Sequence, residues 1–176
     1  MIEIKKCSKS FGSVKAVDKV SLEIGEREVF GLVGSNGAGK STLLRMAAGI
    51  LKPDEGEIEI DGESIYDNEK AKACIFYIPD DSYFPADYTP RDIADFYRCY
   101  YPKFDVQRFS KFLRQFHMDD KKRISTFSKG MRKQLLVLLG VSAGTKYLLC
   151  DETFDGLDPV VRQGVKSLFA SEIMGR

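Results

Sequence analysis

Cysteine is scarce in this 176-residue sequence, and the four present, Cys7, Cys74, Cys99 and Cys150, are scattered with no C-x-x-C pair. That spacing argues against a disulfide framework or a thiolate metal site, and the thiols are expected to be buried or idle in a reducing cytosol. Long apolar runs are missing too. The longest, QLLVLLGVSAG from Gln134, is too short and too interrupted to cross a bilayer. The N-terminal MIEIKKCSKSFG lacks the apolar centre of a signal peptide. There is no excess of either charge. A formal net charge of +1 gives no reason to expect bulk nucleic-acid binding. Internal repeats and low-complexity linkers are absent. These features describe a cytosolic globular chain, long enough for one domain with a small subdomain.

What is there alternates. IEI and VSLEI read as short strands, Gly25-Glu26 as a turn, and VFGLVG, residues 29–34, as a fully buried strand. STLLRMAAGIL from Ser41 is a helix that stops before Pro53. GEIEIDGESI predicts a hairpin around Asp61-Gly62, and ACIFYIP from Ala73 another buried strand. Thr89 and Pro90 start a helix as cap and first helical residue, which ends near Pro102. A second helix follows Asp105, with Val106, Phe109, Leu113 and Phe116 on one face. A loop and a long amphipathic helix come next, and KYLLCDE closes the series as a strand. The pattern predicts a mainly parallel sheet carrying helices, with a small helical lobe at 86–125 inserted in the α/β body.

GSNGAGKST, residues 34–42, satisfies G-x-x-x-x-G-K-[ST] between a predicted strand and a predicted helix. Gly37 and Gly39 allow backbone N–H groups to turn inward around phosphate oxygens, and the helix N-terminus adds its positive end. Lys40 is placed to reach the β- and γ-phosphates, Ser41 to hold Mg²⁺, and Thr42 to cap an inner phosphate. Gly34, Ser35, Asn36 and Ala38 complete the loop.

Far along the chain, LLCDETFDGLDP (148–159) crowds Asp151, Glu152, Asp155 and Asp158 at the mouth of a strand. Their repulsion requires a metal ion, a polarised water or a second chain to offset it. A phosphate loop needs a second magnesium anchor, commonly an aspartate ending a buried strand, and Asp151 stands there. Glu152, one residue further out, is placed to orient or deprotonate an attacking water.

Together these segments resemble the nucleotide-binding domain of ABC transporters over essentially the whole chain. FSKGM, residues 127–131, stands where that family has its L-S-G-G-Q signature; Ser128 and Gly130 match, while Lys129 and Met131 depart. The resemblance implies that Ser128, Lys129 and Gly130 bind the γ-phosphate of ATP held by a second, head-to-tail subunit, an arrangement a helix N-terminus favours. DGLDP resembles the D-loop and gives Asp158 a bridging role toward that partner. Tyr77-Ile78-Pro79-Asp80 stands at the Q-loop, with Asp80 in place of glutamine, near enough in kind to reach Mg²⁺ directly or through water. Phe11 stands where a ring stacks on adenine, although a core phenylalanine fits the sequence nearly as well. The aromatic-rich lobe reads first as core, and the family adds a groove there for a membrane subunit's helix.

The resemblance therefore implies an α/β P-loop NTPase fold, an ABC-type ATPase core with an antiparallel β subdomain and a small inserted helical subdomain. The core takes residues 1–85 and 126–176, the helical subdomain 86–125. It implies Mg²⁺ with ATP, hydrolysis in a homo- or heterodimer, a separate transmembrane permease and no nucleic acid. The place implied is cytoplasmic, peripheral on the inner face of the membrane. YIPDD and FSKGM look more like exporter-type subunits of bacterial systems. The family's switch histidine lies downstream of the D-loop, whereas His117, the only histidine, lies in the helical lobe. The chain is accordingly expected to be C-terminally truncated, binding nucleotide but hydrolysing it weakly. A non-transport ABC ATPase of translation or DNA repair is the alternative reading.

Overall fold

Strand pairing organises the first part of the chain. The computed structural model describes residues 1–26 and 28–174, and they fall into two units, Met1–Ile75 and the stretch from Phe76 onward. In the first, β1 (Ile2–Phe11), β2 (Val14–Ile24), β3 (Glu55–Ile60) and β4 (Glu63–Ser64) form an antiparallel sheet in the order β2-β1-β3-β4. Alternation along β1 and β3 buries Ile2 opposite Ile60 and Ile4 opposite Ile58. The hairpin expected at Asp61-Gly62 is present. Both residues have positive φ, 53° and 82°, the combination a tight type I′ turn requires. Helix α1 (Lys40–Ala47) buries Leu43, Met46 and Ala47, and the short α2 (Glu69–Ala73) starts at Asn68, whose side chain accepts from Lys70 and Ala71 N–H.

One expectation fails in this unit. Residues 28–35 form no strand, and Val29 and Val33 are 74% and 94% exposed. A strand persists only with a ladder beside it, and neither sheet among the described residues includes this segment. Apolar composition alone does not supply the missing partner.

In the second unit, β5 (Ile75–Ile78) pairs with β6 (Tyr147–Cys150). These two strands are all that the described residues show of the expected central sheet, so the predicted mainly parallel sheet is not displayed. Helix α3 (Pro90–Tyr100) opens with the predicted cap: Thr89 accepts from Asp92 N–H, and Asp92 accepts from Thr89 N–H in return. Helix α4 (Val106–Gln115) starts at Asp105, whose carboxylate accepts from Arg108 N–H. A single 3₁₀ turn (Ile124–Thr126) leads to α5 (Lys129–Ser142), and α6 (Pro159–Met174) closes the described chain.

The core of this unit is one cluster that joins Phe76 and Ile78 of β5, Ile93 of α3, Phe109 and Leu113 of α4, and Leu135–Leu139 of α5. Helix α5 runs very close to both strands. A β-carbon at Gly140 would stand 2.9 Å from Phe76 and 3.0 Å from Leu148. The 86–125 helices thus share their buried side chains with the helix that begins within the FSKGM segment.

Because Phe109 is 2% exposed within this cluster, Phe109→Ala should lower unfolding free energy by about 3–5 kcal/mol. Urea denaturation followed by circular dichroism reads this as a lower midpoint.

Candidate nucleotide-binding and catalytic residues

Each unit contributes one chemically distinct set of residues. In the first, residues 34–39 make a turn that hands the chain to α1. Gly37 and Gly39 have φ of 81° and 85°, in the left-handed region open to glycine at no steric cost. Gly39 is the N-cap of α1, and a β-carbon there would meet the Ala16 carbonyl oxygen at 2.0 Å. Glycine is therefore required at 39 twice over, by dihedral and by space. The turn is closed by Ala38 N–H donating to Ser35 O (3.2 Å), and Leu43 N–H donates to Gly39 O (2.9 Å). No acidic residue lies in the first turn of α1, so nothing there opposes an anion.

Lys40 curls over the loop. Its Nζ donates to the carbonyls of Gly34 (2.8 Å) and Ser35 (2.9 Å). Gly34, Ser35, Asn36, Gly37 and Ala38 are exposed, and Lys40, Ser41 and Thr42 are half-buried. Phe11 ends β1 opposite Val14 and is half exposed, with Lys9 Nζ 6.0 Å from its ring centre. Its ring is not part of the core.

In the second unit, β6 delivers Asp151 to a buried position, 2% exposed. Asp151 N–H donates to Ile78 O (2.9 Å), extending the link to β5, and the Tyr77 hydroxyl donates to Asp151 Oδ2 (3.0 Å). The carboxylate is thereby oriented from the neighbouring strand. Glu152 is exposed and left-handed, with φ 47°, a conformation that costs a residue with a β-carbon on the order of 1 kcal/mol.

Opposite this turn lies Lys133 of α5, 2% exposed. Its Nζ donates to Asp80 Oδ1 (2.9 Å), Glu152 O (2.6 Å) and Asp155 O (3.0 Å). An ammonium has three protons to donate, and all three are satisfied. The hydrogen bond and charge of Lys133 hold the Asp80 carboxyl below the usual carboxylate range, against a smaller opposing effect of burial.

Ser128 is the N-cap of α5, its hydroxyl accepting from Met131 N–H at 3.2 Å, and Lys129 beside it is exposed. Gly130 lies close to the Gly156 carbonyl; a β-carbon there would stand 3.5 Å away. Asp158 caps α6, accepting from the N–H groups of Val160 and Val161, both at 3.0 Å. The second unit thus gathers Asp80, Asp151 and Glu152 around Lys133 and Tyr77. Neither of the last two was assigned a role from sequence. The available signal for Lys133 was a lysine on the face of α5 that also carries Leu136, Val137 and Gly140.

The chain matches the ABC transporter family over residues 17–155. It belongs to that family. It is 36% identical over 176 residues to the ABC transporter ATP-binding protein YtrB of Bacillus subtilis, covering the whole of this chain and 60% of that protein. Among solved structures, the ATP-binding subunit of an ABC transporter superposes with a TM-score of 0.88 at 23% identity, covering 99% of this chain and 75% of that one. A dimeric ATP-binding cassette in a post-hydrolysis state, bound to ADP and Pi, gives 0.84 at 19% identity, with 98% and 83% covered. These likenesses establish the fold, the P-loop NTPase architecture of ABC ATPases. The chain spans about three fifths of its curated relative's length.

In this ABC family member, the 34–39 turn as observed has no room for a side chain at Gly39. Gly39→Ala should abolish binding of a fluorescent ATP analogue, because its methyl group displaces either the loop or the strand end at Ala16.

Proposed function

We propose that this chain is the ATP-binding part of an ABC transporter, binding and hydrolysing Mg·ATP to drive transport through a separate membrane subunit. The observation that carries the reading is a complete G-x-x-x-x-G-K-S motif at the start of α1 in a chain whose β6 is followed by Asp151, oriented by Tyr77, and then by Glu152. Binding would exchange the two carbonyl acceptors of Lys40 for phosphate oxygens, so that the ammonium donates to an anionic acceptor instead of a neutral one. Residues 34–39 supply backbone N–H groups, and Thr42 caps an inner phosphate. Phe11, exposed at the end of β1, is the surface for adenine.

The oxygen donors fit magnesium. Mg²⁺ takes one or two carboxylates and completes its shell with phosphate oxygens and water. No cluster of three or more His, Cys, Asp or Glu side chains suited to a metal occurs among the described residues. An ion that arrives with the nucleotide needs no such cluster. The first unit offers Ser41 as a ligand, and the second offers Asp151, with Asp80 direct or through water. When bound, such an ion would supply neutralisation of the phosphate charge. Glu152 orients the attacking water and accepts its proton. Tyr77 keeps Asp151 in place.

The Ser128–Gly130 segment, at an α5 N-terminus with no acid in its first turn, favours the γ-phosphate of a partner's ATP. Asp158 stands in the adjoining loop toward the same partner. Those features favour a head-to-tail dimer, and the family's ADP- and Pi-bound member is itself dimeric. Among the described residues no helix is long and apolar enough to cross a membrane. The proposed transport path is a separate permease, to which this chain would bind on the cytoplasmic face. Export is the direction favoured by the variants at 77–81 and 127–131.

Glu152→Gln should lower ATP hydrolysis by about a hundredfold or more, the ordinary contribution of a positioned base, while leaving ATP binding intact. Lys40→Ala should lose binding itself. Hydrolysis by Glu152→Gln at the wild-type rate would contradict the assignment.

A further inference from the structure

Lys133 sits among residues of the proposed reaction without being one that touches ATP. Its ammonium bridges three points far apart in sequence: the side chain of Asp80 and the backbone carbonyls of Glu152 and Asp155. Both carbonyls belong to one turn, which Asp155 N–H closes onto Glu152 O at 3.1 Å. The turn begins at a left-handed residue, Glu152. A left-handed backbone persists only where its surroundings over-determine it, and the 2.6 Å hydrogen bond from Lys133 to that same peptide carbonyl does so.

We propose that Lys133 is a positioning residue for hydrolysis. It fixes the 151–155 turn so that the Glu152 side chain faces the attacking water, and Asp80 serves as its counter-ion. The proposal rests on the ATPase reading above and adds a residue to it. Two features separate this role from ordinary packing. A buried ammonium with an apolar neighbourhood needs only some set of acceptors, whereas here two of the three lie on the backbone flanking the catalytic carboxylate. The third belongs to a side chain that is 46% exposed, so the pair extends from the helix interior to the surface. Asp80 then links the 79–81 segment to the same turn, and any movement of that segment is felt at Glu152 through a single cation.

The test uses Lys133→Met, which keeps length and loses the donors, and Asp80→Asn, which keeps the acceptor oxygen and loses the charge. Glu152→Gln is the reference. In protein purified from its native cells, three quantities are read: steady-state ATP hydrolysis, affinity for a fluorescent ATP analogue, and amide hydrogen exchange over 151–156 without nucleotide or metal. Lys133→Met is expected to speed that exchange by about tenfold or more, because the turn opens more often. It should lower kcat by about tenfold or more while nucleotide affinity stays within about threefold, the signature of an interaction that matters in the transition state. Asp80→Asn should move exchange in the same direction by less; loss of a magnesium ligand alone would leave exchange unchanged under these conditions. Unchanged exchange in both variants overturns the proposal. So does a Lys133→Met kcat within about twofold of wild type, or kcat and affinity falling together as for a merely structural defect. Should Lys133→Met not fold, Asp80→Asn decides alone, faster exchange supporting the proposal and unchanged exchange overturning it. Wild-type turnover by Glu152→Gln would instead count against the ATPase reading, and exchange would still rule on Lys133.

Discussion

A buried ammonium is tolerable only where each of its protons has an acceptor, and Lys133 meets that condition with one carboxylate and two carbonyls. The arrangement answers a difficulty raised by the sequence 151–158, where four acids follow a buried strand. Repulsion at such a place must be offset by positive charge. Lys133, reaching out from α5, brings positive charge to the backbone of this turn, although its carboxylate partner is Asp80. Part of the offset comes from dipoles: Asp158 spends its carboxylate on the N-terminus of α6. Tyr77 donates to Asp151 and takes up one more acceptor. Glu152, the acid whose proposed task needs access to water, is exposed, as are Asp155 and Asp158.

The two halves of the chemistry are built differently. The proposed phosphate loop is local: a few consecutive residues, two left-handed glycines and a helix start make a turn. Its geometry is fixed by the chain's own turn and by the Ala16 carbonyl that crowds Gly39. The acid turn is non-local. β5 supplies Tyr77, its exit supplies Asp80, α5 supplies Lys133, and the exit of β6 supplies Asp151 and Glu152. Close packing of α5 on both strands, enforced by Gly140, brings these segments into reach. A change in core packing would therefore be felt at the acid turn sooner than at the phosphate loop.

That difference explains what could be read in advance. The Gly34–Thr42 motif, the Asp61-Gly62 hairpin and the Thr89–Asp92 capping box were legible because their constraints act between near neighbours. The strand ending at Asp151 was legible from its apolar run. Lys133 was not, since its partners lie 53, 19 and 22 residues away and two of them are backbone atoms. The expected strand at 29–34 is absent for the converse reason. Its composition is that of a buried strand, but strand formation depends on a neighbour that composition cannot supply. Phe11 was left between adenine surface and core, and its half-exposed position at the β1–β2 turn removes the core alternative.

The central claim is that this ABC family member works an engine for a membrane protein. Tagging it in its native cells, purifying it in mild detergent and identifying stoichiometric companions by mass spectrometry tests that claim most directly. The account predicts a polytopic membrane protein in stoichiometric amount. Ribosomal or DNA-repair proteins in its place would contradict the transport role while leaving the nucleotide chemistry intact.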